Sequence, residues 1–200
     1  HMASIKSYFS KIFAAYIANK IQGWSKNPIK TQDRVFKALI KTARNTQFGK
    51  DHNFSQIQDH KDFIKCVPVR DYEALKPYVE KVVRGEQDIL WKGKPLYFAK
   101  TSGTTSGAKY IPITAVSIKA QVEASRNAML MYIHETGKAA FLDGKWIFLQ
   151  GSPNLNEKNG IKTGRLSGIS AHYVPSYLLK NRMPRWDVNC IEDWETKVDA

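Results

Sequence analysis

The chain has 200 residues, 42% hydrophobic and 12% aromatic, and 31 Lys and Arg against 18 Asp and Glu leave a formal net charge of +13. That balance excludes a disordered chain, and no apolar run approaches the ~18 residues that would span a bilayer. The length suffices for one domain with a full core or for two small ones.

His1-Met2 reads as a cloning remnant, and no secretory h-region follows it. From Ile5 to Ile21 the spacing predicts an amphipathic helix, with Ile5, Tyr8, Phe9, Ile12, Phe13, Tyr16 and Ile17 on the face that packs on the body of the protein. Asn27-Pro28 breaks it. A second helix carries Val35, Phe36, Leu39, Ile40 and Ala43 on one face and ends near Asn45 to Gly49. Residues 1–50 hold ten Lys or Arg and one acid, Asp33, so this end attracts phosphates of any kind. Val67-Pro68-Val69 is extended, Asp71 caps a short helix, and Pro77 opens another that buries Val79, Val82 and Val83.

Around residue 96 the pattern changes from helical spacing to short apolar runs. Leu96 to Lys100 and Tyr110 to Ile113 read as strands, and Pro112 places the second at a sheet edge. Thr114 precedes a helix to about Thr136, with Val116, Ala120, Ala124, Met131 and Ile133 among its apolar positions. Lys145-Trp146-Ile147-Phe148-Leu149-Gln150 reads as a strand buried on both faces. Gly151 to Leu178 reads mostly as loop, and Ile191, Trp194 and Val198 begin a last helix. Cys66 and Cys190 lack metal or redox spacing and read as reduced thiols of a cytoplasmic protein.

The most informative stretch is AKTSGTTSGAKYIPIT, Ala99 to Thr114. Gly103 and Gly107 let backbone N–H groups approach a ligand, the hydroxyls of Thr101, Ser102, Thr104, Thr105 and Ser106 are short donors, and Lys109 is a mobile positive charge. A polyphosphate uses all three; the alternative is a Gly/Ser hairpin turn with no ligand, for which so many hydroxyls would be excessive. The spacing fits neither a Walker A loop, nor a dinucleotide fingerprint, nor a nucleophile elbow.

Thr101 to Lys109 resembles the phosphate-binding loop of the adenylate-forming enzymes. With VPVRDYEALKPYVEKVVRGE ahead of it, DGKWIFLQGSP behind it and NTQFGKDHNF further upstream, the chain is similar to the GH3 family of acyl-acid amido synthetases. The resemblance implies an α/β fold: a mainly helical segment over 3–95, then over 96–200 the first part of a nucleotide-binding sheet domain, with the loop at 101–109. It also implies the N-terminal portion of a longer enzyme, inactive by itself and prone to self-association. That enzyme would use ATP and Mg2+ to adenylate a small carboxylic acid and pass the acyl group to an amine or amino acid. The residues carried over are Thr101, Ser102, Gly103, Thr104, Thr105, Ser106 and Gly107 for phosphate, Lys109 for catalysis and Arg126 for the acid, with no protein metal site. Arg126 can equally be an exposed arginine, and His172-Tyr173 either lines the acid pocket or is structural. Two other readings stay open: a plain acyl-CoA ligase, and a basic domain for nucleic acid or acidic lipid. No nucleic-acid motif favours the latter.

Overall fold

The computed structural model describes residues 4–101, 108–148 and 150–200. Through residue 95 it is helical: α1 (Ile5–Ser25), α2 (Pro28–Ala43), α3 (Gln47–Asp51), α4 (His60–Cys66) and α5 (Tyr72–Val83). Strand β1 (Tyr97–Lys100) and strand β2 (Tyr110–Ile113) follow, then the long helix α6 (Ala115–Thr136). The remainder alternates: β3 (Trp146–Ile147), β4 (Asn156–Lys158), β5 (Ile161–Gly164), α7 (Leu166–Ala171), α8 (Ser176–Leu179), β6 (Arg182–Met183), α9 (Trp186–Asn189) and α10 (Trp194–Asp199). The fold mixes helix and sheet, as expected from the change of period near residue 96.

Two compact units emerge. One contains residues 24–115 and 156–163, the other residues 1–23, 116–155 and 164–200.

In the first unit, β1 pairs antiparallel with β2 and the sheet runs β2-β1-β5-β4, so Pro112 does lie on an edge strand. A proline there removes no ladder hydrogen bond that a neighbour needs. Below the sheet, Phe98 packs with Val82, Ile89 and Ile161. A second cluster joins Ile40, Ala43, Phe54 and Ile57, with Phe36, Phe48 and Phe63 against it. The Asp71 carboxylate caps α5 by accepting from Ala74 N at 2.9 Å. Contrary to the sequence reading, α5 is one helix with Pro77 inside it. Pro77 forfeits only the bond to the Glu73 carbonyl, and burial of Val79 and Val82 outweighs that loss. Val83 is half-buried.

In the other unit, Ala14 and Ile17 of α1 pack on Leu130 and Ile133 of α6 and on Ala139. This corrects two expected faces. On α1 the large residues Ile5, Tyr8, Phe9, Ile12, Phe13 and Tyr16 are exposed, and the buried line is Ser7, Ala14, Ile17 and Ala18. Small side chains let two helices approach closely, and the Ser7 hydroxyl donates to the Ala139 carbonyl there (3.3 Å). On α6 the buried positions are Ile118, Leu130 and Ile133, while Val116, Ala120 and Ala124 face solvent.

Two more expectations fail. Among the described residues of the run at 145–150, strand forms at Trp146–Ile147, and Ile147 is 75% exposed; its partner among the described residues is β6, two residues long and in parallel register. Residue 149 lies outside the described residues. The segment Gly151 to Leu178 is not mostly loop: β4 and β5 form a hairpin about Asn159-Gly160, whose positive φ values suit a tight two-residue turn.

Candidate functional site

The site begins with the strands that flank the glycine-hydroxyl segment. Tyr97 pairs with Ile113 and Lys100 with Tyr110. One residue further out, Thr101 N donates to the Lys109 carbonyl (3.1 Å) and Lys109 N donates to the Thr101 hydroxyl (3.3 Å). The two ends of the segment are therefore clamped together. Ser102, Gly103, Thr104, Thr105, Ser106 and Gly107 lie outside the described residues.

A tyrosine fixes the exit strand. The Tyr72 hydroxyl, on the first residue of α5, accepts from Tyr110 N (3.0 Å) and donates to the Tyr110 carbonyl (3.4 Å). The Lys109 ammonium lies 5.2 Å from the centre of the Tyr72 ring. An aromatic face attracts a cation without neutralising it. Lys158, the last residue of β4, makes a similar contact: its ammonium is 4.5 Å from the Tyr110 ring centre and donates to the Tyr110 hydroxyl at 3.4 Å. Sequence reasoning missed Tyr72 and Lys158. Tyr72 sat in the quoted VPVRDYEALKP segment, but only tertiary pairing ties it to Tyr110. Lys158 follows from the Asn159-Gly160 turn, a signal that was there to read.

Thr101 and Lys109 are thus brought together. Arg126 belongs to the other compact unit, in the middle of α6. Its Nε and Nη2 donate to the Asn127 side-chain oxygen (3.3 and 3.1 Å), and its guanidinium lies 5.4 Å from the Phe13 ring centre. It is half-buried.

His172 is held 2.8 Å from the Pro153 carbonyl through Nε2, which must carry the proton, and its ring meets Trp186 edge-on at 5.1 Å. Gly151 N donates to the Ser167 hydroxyl (3.0 Å), and Gly168 lies so close to the Ser152 carbonyl that no side chain would fit. His172, Ser167 and Gly168 together clamp the Gly151-Ser152-Pro153 turn, a structural role.

Among the described residues no three His, Cys, Asp or Glu side chains gather as a metal cage. Cys66 and Cys190 are free thiols. No helix among the described residues is long and apolar enough to cross a membrane.

A helical opening followed by an antiparallel strand pair that brackets a Gly/Ser/Thr segment, then a long helix, defines the architecture into which the comparisons fall. The sequence matches the GH3 family N-terminal domain over residues 17–197, and the chain belongs to that family. It is 31% identical over 109 residues to the indole-3-acetic acid-amido synthetase GH3.15 of Arabidopsis thaliana, which covers 53% of this chain and 18% of that protein. It is 21% identical over 143 residues to the jasmonoyl–L-amino acid synthetase JAR4 of Nicotiana attenuata, covering 70% of this chain and 24% of the relative. Among solved structures, a GH3.15 acyl acid amido synthetase superimposes with a TM-score of 0.74 at 20% identity, over 90% of this chain and 32% of that one. The same enzyme in complex with 2,4-DB gives a TM-score of 0.69 at 21% identity, over 80% of this chain and 28% of that one. The chain thus spans about a quarter or less of these curated relatives' length and about a third of the solved ones.

Proposed function

We propose that this chain is the N-terminal part of an ATP-dependent acyl-acid amido synthetase acting on a small carboxylic acid and an amine or amino acid. A carboxylate oxygen attacks the α-phosphorus of ATP and pyrophosphate leaves. The amine nitrogen then attacks the acyl carbon, AMP leaves with the carboxyl oxygen, and the amine gives up a proton. Both steps join or separate anions, so they ask for positive charge and N–H donors at the phosphates.

The single observation that carries this reading is the clamp between Thr101 and Lys109, in a chain of the GH3 family. It draws the two ends of a Gly/Ser/Thr segment together with a lysine at its exit, which suits a phosphate cradle. In this reading Thr101, Ser102, Gly103, Thr104, Thr105, Ser106 and Gly107 contact phosphate oxygens, Lys109 steadies the charge that develops on the leaving group, and Arg126 receives the acid's carboxylate. Mg2+ would arrive with the nucleotide and take most of its ligands from phosphate and water. Free Cys66 and Cys190 suit a reducing cytoplasm.

The test is ATP–pyrophosphate exchange with a panel of carboxylic acids, run on this chain and on the full-length enzyme. Exchange is expected in the full-length enzyme and not in this chain, and Lys109→Ala should lower it at least several-fold, since a bond to a charged phosphate is worth about 1.5–3 kcal/mol. Product analysis with amino acids and with coenzyme A then separates amide from thioester formation. Absence of exchange with every acid in the full-length enzyme would sink the adenylation reading.

A further inference from the structure

Arg182 is 4% exposed and sits on β6, paired in register with Trp146 of β3. Its Nη1 makes one long bond to the Ala171 carbonyl (3.5 Å). Its Nε and Nη2 have no acceptor among the described residues. The same holds for two other buried donors of the adjoining segment, the indole nitrogen of Trp146 and the amide nitrogen of Gln150. A guanidinium does not escape by losing its proton. Burial lowers the Arg182 pKa from its ordinary value, the direction expected of a buried cation without a counter-charge.

The rings of Phe148 and Trp186 lie 5.9 and 5.7 Å from the guanidinium carbon, and Trp146 stacks on Phe148 at 6.0 Å. Aromatic faces hold a cation but offer no lone pair to an N–H. The acid nearest in sequence, Asp187, is exposed and already paired with Arg185 at 3.2 Å. Buried donors without acceptors are rare in native proteins because each costs about 1–3 kcal/mol, and more when charged.

We propose that Arg182, paired in register with Trp146, forms a receptor for one carboxylate group. The two free nitrogens are those of the side edge of the guanidinium, the parallel N–H fork that matches the two oxygens of a carboxylate. Charge balance selects the same ligand. One cation in a buried setting is neutralised by one carboxylate, whereas a phosphate group of charge about −1.5 to −2 would leave excess charge buried. The surface beside the site is apolar: Ile147, Phe148, Met183 and Trp186 are all partly exposed. The carboxylate therefore rides on an apolar carrier, either a free carboxylic acid or an Asp or Glu side chain of a polypeptide segment lying on that surface.

The probe is acetate, titrated against chloride at constant ionic strength. In wild-type chain the Arg182 Nε–H resonance, assigned with Arg182→Lys, should shift saturably, and the thermal midpoint should rise by about 2–4 °C. Arg182→Met should show no acetate response in its midpoint, and should be at least as stable as wild type in chloride, because it removes an uncompensated buried charge. Should that variant fail to fold, the resonance titration of the wild type decides alone. The same titration in the full-length enzyme separates the sources: a saturable shift there means a free acid, and a resonance already shifted and unmoved by acetate means a side chain. A wild-type resonance that ignores acetate in the 200-residue chain, or an Arg182→Met midpoint that rises as much as wild type, overturns the proposal.

Discussion

Gly49 is the third residue of α3, packed against the end of α2, where a Cβ would fall on the Ala43 carbonyl oxygen. The Thr46 hydroxyl donates to that same carbonyl (2.7 Å) and accepts from Gly49 N (3.0 Å). Backbone cannot yield as a flexible side chain does, so Gly49→Ala should cost about 1–3 kcal/mol in urea unfolding. Tyr78 makes a different kind of residue-scale statement. Its hydroxyl donates to the Asp51 carboxylate at 2.8 Å. Burial first, the hydrogen bond to Asp51 second and the Asp51 charge third raise its pKa above the ordinary value near 10. The unfolded chain loses that proton first, so the contribution is complete below about pH 10 and is lost as pH rises toward the folded-state pKa. Wild type should destabilise through that window more steeply than Tyr78→Phe; equal slopes in denaturation followed from pH 9 to 11.5 would refute the assignment.

At the scale of elements, the turn of the β4–β5 hairpin is tied to α5. Asn159 and Gly160 take φ of 50° and 78°, and the Asn159 amide donates to the Val83 carbonyl at the end of α5 (2.6 Å). Asn159→Ala loses the bond and strains the turn, and should cost about 1–3 kcal/mol; Asn159→Gly should recover the part due to strain. The Asn-Gly pair was legible in the sequence as a turn, and its neglect is why this stretch reads as loop. Helix α1 teaches the opposite lesson. Its period was legible, but the face was not, because Ala14 and Ala18 admit a neighbouring backbone that Ile12 and Tyr16 would hold away. Ala14→Leu should cost about 1–3 kcal/mol, while Ile12→Ser, at a position 54% exposed, should stay within about 0.5 kcal/mol.

For the whole molecule, surface is the governing quantity. Ile5, Tyr8, Phe9, Ile12 and Tyr16 form one exposed apolar stripe on α1, on a chain of net charge +13. Apolar contact favours association and like charge opposes it. Sedimentation should therefore find the 22.8 kDa monomer at low salt and larger species as salt screens the charge, with Tyr8→Ser/Phe9→Ser suppressing the increase. An unchanged mass across salt concentrations would count against the stripe as a sticky face.

By itself the sequence determined what depends on neighbours along the chain. The break at Asn27-Pro28, the Asp71 cap, the two strands about Thr101 to Lys109 and the edge position of Pro112 follow from local backbone chemistry, which acts within a few residues. The candidate phosphate segment was legible for the same reason, since its glycines, hydroxyls and lysine are consecutive. Only the tertiary structure decided which helix faces are buried, that Tyr72 holds Tyr110 across 38 positions of sequence, and that Arg182 lies beside Phe148 and Trp186 with its Nε and Nη2 lacking an acceptor among the described residues. Those outcomes depend on which surfaces approach closely enough to exclude water, and closeness between distant segments has no periodic signature in the chain.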